Sequence, residues 1–386
     1  MNGPATLFGM AWDHPRALSP LEAVSGQWAE DHHYMVDWEA RPLKDFEDQP
    51  LEELASEYDL VLMDYPFVAT AADSGMIEPV DHWVSRDYLD DQARSSVGPS
   101  FSSYTWAGKQ WALAIDAAAQ VSALRPDLDL TETPNTWSEL AVLARNLKDA
   151  PARVAMPLNP NHSYCAFLSV ALAAHGPSFW PRGKLFDSGA ARASLEFLRE
   201  LAADLHPLSR SADPIAISDR MAGSDEIVFV PLMFGYSSYA RPGFRQHLLK
   251  FGDAPRGESG HIGSVLGGVG IAVSALGDHQ DAAADLARTL VSADVQSGPY
   301  VQSGGQPGHA AAWDSDEANT LVGNFFRATR ATMQQAFLRP RVAGHRRFQP
   351  MAGELVSRFI WERDLDAGSC IAGLNRLAGE QLGNWA

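Results

Sequence analysis

Apolar runs of strand length alternate with segments of helical spacing, and this alternation limits the chain more than any other feature. Leu51–Glu57 has helical spacing and leads into Tyr58-Asp59-Leu60-Val61-Leu62-Met63-Asp64, an apolar run bounded by turn residues. Glu226–Met233 repeats the pattern, and Gly267–Val273 repeats it again through an entry of glycines. Thr6–Trp12 reads as the first strand and Val154–Leu158 as another. Strands this apolar need cover on both faces, which makes the fold α/β with helices packed against sheets. The clearest helix is predicted from Thr136 to about Asp149. Thr136 and Glu139 form a capping box, Pro134 stands ahead as a breaker, and Trp137, Leu140, Leu143, Ala144 and Leu147 recur on one face. Further helices are predicted at 190–205, 281–293, 316–338, 351–361 and 369–382, and one opens at Ser163–Phe167. No internal repeat or low-complexity tract interrupts them.

At 386 residues the chain is too long for one simple core, and two domains are expected. The formal net charge of −18 argues against nucleic acid or an anionic membrane surface as the main partner, since either calls for a basic face. A small anionic ligand stays open, because one local Arg or His overrides the global field. No apolar run is long enough to span a membrane. Met1–Ala5 leads directly into the first strand without a basic start, an apolar run or a cleavage site. The expectation is a periplasmic or extracellular protein if a signal peptide has been removed, and otherwise a cytoplasmic one. Cys165 and Cys370 sit in no metal spacing and are expected to be free buried thiols. No P-loop or dinucleotide fingerprint occurs, so no cofactor is expected. His32-His33 lacks metal spacing with Asp31 and reads as a solvated loop.

Two separated stretches carry more specific information: Thr105-Trp106-Ala107-Gly108-Lys109-Gln110-Trp111-Ala112-Leu113-Ala114-Ile115-Asp116, and Thr133-Pro134-Asn135-Thr136-Trp137-Ser138-Glu139-Leu140. Together they resemble the paired signature of the family 1 extracellular solute-binding proteins, the receptor subunits of ABC importers for sugars and related polar solutes. The resemblance implies a two-lobed type II periplasmic-binding fold with discontinuous lobes and an interlobe cleft. It places lobe I at 1–115 plus 270–305 and lobe II at 117–265 plus 306–386. Hinges are expected near 115–117, 266–270 and 304–307, the last at Gly304-Gly305-Gln306-Pro307. It also implies a monomer, with an ABC permease as a further partner.

Candidate ligand contacts follow from strand tips, where ligands of open α/β sheets gather. Trp12, Asp13, His14 and Arg16 crowd the loop after the first strand. They offer a stacking face, hydroxyl acceptors and a fork for a carboxylate, or else form a polar turn around Asp13. Asp64 and Tyr65 end the next strand. Asp116 occupies the family's hinge position, where it meets ligand or caps backbone amides. Asn159 and His162 precede a helix start and suit an oxygen-rich ligand, or serve as ordinary caps. Phe234 and Tyr236 follow the strand at Val228–Leu232, Gly268 permits close backbone approach, and Gln306 is a donor at the third crossing. Arg339-Pro340-Arg341 and His345-Arg346-Arg347 read as a surface run, with Arg341 reaching toward the cleft rim.

The leading reading is a clamp for a sugar, sugar acid or polyol. The alternative is a cytoplasmic enzyme on the same fold, using Cys165 with His162 or Asp13 with His14, since some relatives of the fold such as thiaminase I use a cleft Cys. A cytoplasmic sensor or carrier is a third reading.

Overall fold

The computed structural model describes residues 4–41, 56–130, 132–180 and 186–383. Most of the helix expected over Leu51–Glu57 lies outside them. The chain forms two units, each assembled from separated segments. The first is Met1–Ala118, Gly267–Leu321 and Arg341–Ala343; the second is Ala119–Leu266, Val322–Pro340 and Gly344–Ala386.

The first unit is built on a sheet in the order Tyr34–Arg41, Ala5–Trp12, Leu60–Asp64, Val269–Ser274, Ile77–Glu78, with Leu113–Ala114 also paired to Val269–Ser274. The first three strands are parallel, so Trp12, Arg41 and Asp64 end at one edge. Val269–Ser274 runs antiparallel and begins there, with Val269 opposite Asp64. Leu7, Met10, Leu60, Val61, Ile271 and Ala272 are fully buried, as apolar strands covered on both faces must be.

The expected polar loop Trp12–Arg16 is shorter than its sequence suggests, because a helix spans Pro15–His32. Pro15 sits in its first turn, where a missing N–H costs nothing. His14 caps it, its Nδ1 accepting the Arg16 amide at 3.0 Å. Ala17, Leu21, Val24 and Trp28 make the buried stripe. His32 is exposed, as expected, but lies in a helix and not in a loop. It closes this helix stacked on Trp28 at 4.3 Å, and His33 ends the helix in the left-handed region at φ 58°.

The second unit has a sheet ordered Lys250–Gly252, Ala118–Leu124, Ile227–Phe234, Arg153–Val154. Its core element is the helix Pro160–His175, buried continuously from Ser163 to Ala173. Phe167 on this helix meets Phe179 and Phe186 edge-on, with ring centroids at 5.5 and 5.8 Å. Gly263 lets a loop lie against the same helix, since a Cβ there would fall 1.8 Å from the Ser169 carbonyl oxygen. The helix Trp137–Leu147 carries the predicted capping box in both directions. His345–Trp361 and Ala367–Gln381 complete the unit.

Three expectations change. The helix predicted over 316–338 breaks into Asp316–Leu321, Phe325–Ala328 and Arg330–Gln334. Gly323 and Asn324 adopt φ of 54° and 66°, which no α-helix continues through. The strand expected at Val154–Leu158 pairs only at Arg153–Val154. The third change of unit comes after Leu321, not at Gly304–Pro307. Residues 304–321 stay with the first unit because the Ala117 and Gly308 amides donate to the Gln306 and Ile115 carbonyls, each at 3.2 Å. Trp313 Nε1 then donates to the Pro307 carbonyl at 2.8 Å. Both cysteines are buried, and neither is in a disulfide.

Candidate functional site

In the first unit, nine of the predicted residues lie on segments that share the sheet edge just described or are bonded to it. Trp12 ends its strand almost fully buried, and the exposed Asp13 is tied by its amide to the Arg41 carbonyl at 2.6 Å. Asp64 is half-buried at the end of its strand, and Tyr65 behind it is fully buried. Asp116 is bound to the start of the antiparallel strand through amide–carbonyl pairs with Val269 at 3.1 and 3.2 Å. Gly268, at φ 96°, passes so close that a Cβ would stand 2.4 Å from the Asp116 carbonyl oxygen. Only glycine meets both demands.

Arg16 forks the Asp116 carboxylate, Nε to Oδ2 at 2.8 Å and Nη2 to Oδ1 at 2.5 Å. The two side chains are 4% and 1% exposed. Burial pushes the Asp116 carboxyl above its usual range while the Arg16 guanidinium pulls it down. Tyr104 and Tyr300 are buried beside it. Their phenols are pushed well above the ordinary value by burial, with the Asp116 charge adding to the rise. Tyr104 reaches the Met63 and Gly268 carbonyls, each at 3.3 Å. Gln306 does not extend a free amide; its Nε2 donates to the Ala117 carbonyl at 2.8 Å. Gln296 has a similar role. It donates to the Ile115 carbonyl at 3.2 Å and accepts the Gly308 amide at 2.8 Å.

In the second unit Asn159 caps the core helix, its Oδ1 accepting the His162 amide at 3.0 Å and lying 2.9 Å from His162 Nδ1. With that oxygen as acceptor, the imidazole carries its proton on Nδ1 and keeps Nε2 as an acceptor. His162 meets Phe234, at the end of its strand, at a centroid distance of 6.1 Å. Tyr236, nearly buried, opens the turn Ser237–Ala240.

Sequence reasoning missed the other half of this polar cluster. Arg339 is buried, not on the surface, and Nη1 donates to Gln349 Oε1 at 2.6 Å. Gln349 Nε2 donates to Asn161 Oδ1 at 2.8 Å, and His345 Nε2 meets Gln349 Oε1 at 3.0 Å. Among the described residues His345 Nδ1 has no partner. Arg341, in the first unit, binds the Ser102 and Thr105 carbonyls at 2.6 and 2.8 Å. The helix begins at His345 rather than at the predicted position 351, which puts His345 and Gln349, four apart, on its first turns.

Burial holds both imidazoles neutral, His162 pushed down to about 4 and His345 to about 3. An unfolded imidazole titrates near ~6.5. Between these values the unfolded chain binds more protons, so stability is complete above ~6.5 and is lost as pH falls toward 4. The urea midpoint is expected to drop between pH 7 and 4.5, and less steeply in His345→Gln. An unchanged slope in both His162→Gln and His345→Gln would show that neither ring is kept neutral by the fold.

Among the described residues no group of three His, Cys, Asp or Glu is placed to hold a metal ion, and no helix is long and apolar enough to cross a membrane.

The family model for bacterial extracellular solute-binding proteins matches residues 28–323. The chain belongs to that family. No curated protein matches it in sequence. Solved structures resemble this solute-binding protein over nearly its full length. The maltose-bound MalE3 of T. maritima is 17% identical with a TM-score of 0.80, covering 96% of this chain and 98% of its own. A solute-binding protein from Thermotoga lettingae TMO bound with alpha-D-tagatose is 16% identical at TM-score 0.81, covering 98% and 100%. One from Agrobacterium radiobacter K84 in complex with ribitol is 17% identical at 0.79, covering 98% of each. At such identities the likeness establishes the periplasmic-binding-protein fold. Membership in an extracellular family implies a periplasmic or extracellular location for this solute-binding protein.

Proposed function

We propose that this solute-binding protein takes one small polyhydroxylated molecule, a sugar or polyol, and delivers it to an ABC-type permease as a monomer. The convergence of Trp12, Asp64, Tyr65 and Asp116 at one sheet edge of the first unit carries the reading. Strand-end carboxylates accept from hydroxyls, and aromatic faces stack on sugar rings. Asn159, His162, Phe234 and Tyr236 supply the same chemistry from the second unit. The resemblance to proteins bound with maltose, tagatose and ribitol supports a hydroxyl-rich ligand.

The test is calorimetry and thermal melting with maltose, D-tagatose and ribitol as the first probes, followed by mass analysis of the recovered ligand. At least one probe is expected to raise the melting temperature, since binding the folded state alone stabilises it. The ligand should be recovered unchanged, and Cys165→Ser, at a thiol only 1% exposed, should bind within about twofold of wild type. A chemically altered ligand, or a covalent adduct on Cys165, would favour an enzyme instead.

A further inference from the structure

We infer that Asp116 sets the ligand class: by occupying the Arg16 guanidinium it makes the first unit's strand-end site a receptor for uncharged hydroxyls and excludes carboxylated solutes. The inference rests on the reading that these strand ends hold the ligand.

Arg16 is the one residue of the predicted first-unit contacts with the geometry to fork a carboxylate. Its fork is already closed on Asp116 through two bonds of 2.8 and 2.5 Å, in a setting where both side chains are buried. The rest of the Arg16 environment holds that arrangement in place. The Arg16 amide is fixed by His14, and Asp116 is locked by its backbone to Val269. Gln296 and Gln306 hold Ile115 and Ala117 on either side of it.

The charges then add up simply. The pair is neutral; Tyr104 and Tyr300 feel the Asp116 charge, and Asp64 and Tyr65 act on Tyr104 in turn. A ligand carboxylate arriving here meets a committed cation and the half-buried Asp64 charge. Like charges in a partly dry site repel strongly. A hydroxyl donates to Asp64 without that penalty. The other buried guanidinium near predicted contacts is Arg339 of the second unit, which donates to the Leu266 and Gln349 oxygens.

The experiment compares matched pairs that differ by one carboxylate: ribitol with D-ribonate, D-galactose with D-galacturonate, and D-glucose with D-glucuronate. Binding is read by calorimetry at pH 7 on wild type and Asp116→Asn. In wild type the neutral member of the best pair should bind at least a hundredfold more tightly than its acid. In Asp116→Asn the released Arg16 should raise acid affinity at least tenfold relative to the neutral partner. The double variant Arg16→Gln with Asp116→Asn, which removes both charges and keeps hydrogen-bonding shape, should lose that gain. If Asp116→Asn fails to fold, the wild-type pairs and the double variant's neutral preference decide. An acid binding wild type as tightly as its neutral partner overturns the inference and leaves the solute-binding reading intact. If neither member of any pair binds wild type, the strand-end reading fails and the inference falls with it.

Discussion

Arg16→Ala is expected to lower folding stability by about 3–5 kcal/mol at pH 7, the cost of leaving one member of a buried ion pair without its partner. Asp116 is 1% exposed, and in this variant it faces two phenols and no cation. It must hold a bare charge or take up a proton. Its folded pKa then lies above the unfolded value, so the folded chain binds more protons and regains stability as pH falls. The gap between wild type and variant should therefore narrow on acidification in urea melts. The paired change of Arg16→Met with Asp116→Leu should recover much of the loss, because apolar replacements remove both desolvation penalties together. A loss below about 1 kcal/mol for Arg16→Ala would mean that water reaches the pair and carries its charges.

The second large effect is expected in the other unit. Phe167→Ala removes the ring that joins Phe179 and Phe186 on the fully buried face of the core helix. Truncating a ring of this size costs about 3–5 kcal/mol, transfer and cavity together. Collapse is limited because loop backbone stands against the same helix at Gly257 and Gly263, where even a Cβ has no room. The urea midpoint should fall accordingly, while ligand stoichiometry in calorimetry stays at one per chain. A change under about 1 kcal/mol would show that the aromatic cluster refills the space.

The α/β architecture was legible because strand-length apolar runs and a capping box are local signals. Thr136 and Glu139 wrote their helix plainly. The helix Pro15–His32 was hidden by Pro15 and Pro20, which usually mark breaks, and by a polar start that imitates a loop. The long helix expected over 316–338 failed at Gly323-Asn324, where backbone handedness overrides periodicity. The same limit governs the site. Strand tips were readable, and the structure brings Trp12, Asp64 and Asp116 to one edge. That Arg16 is bonded to a residue one hundred positions away, and that Arg339 is buried beside Gln349, are tertiary facts with no local trace.

The sheet of the first unit has a consequence for how the chain comes into being. Its strand Val269–Ser274 lies between Leu60–Asp64 and Ile77–Glu78, both of which are made about two hundred residues earlier. At roughly 5–20 residues per second of synthesis, the early strands wait about 10–40 s for the one that separates them. The second unit waits as well, since the helix His345–Trp361 packs on Pro160–His175. Gly353 lies so close that a Cβ there would fall 2.3 Å from the Pro160 carbonyl oxygen. Neither unit can close on its nascent N-terminal part alone. Each unit gains its full core only after its late segment has been made.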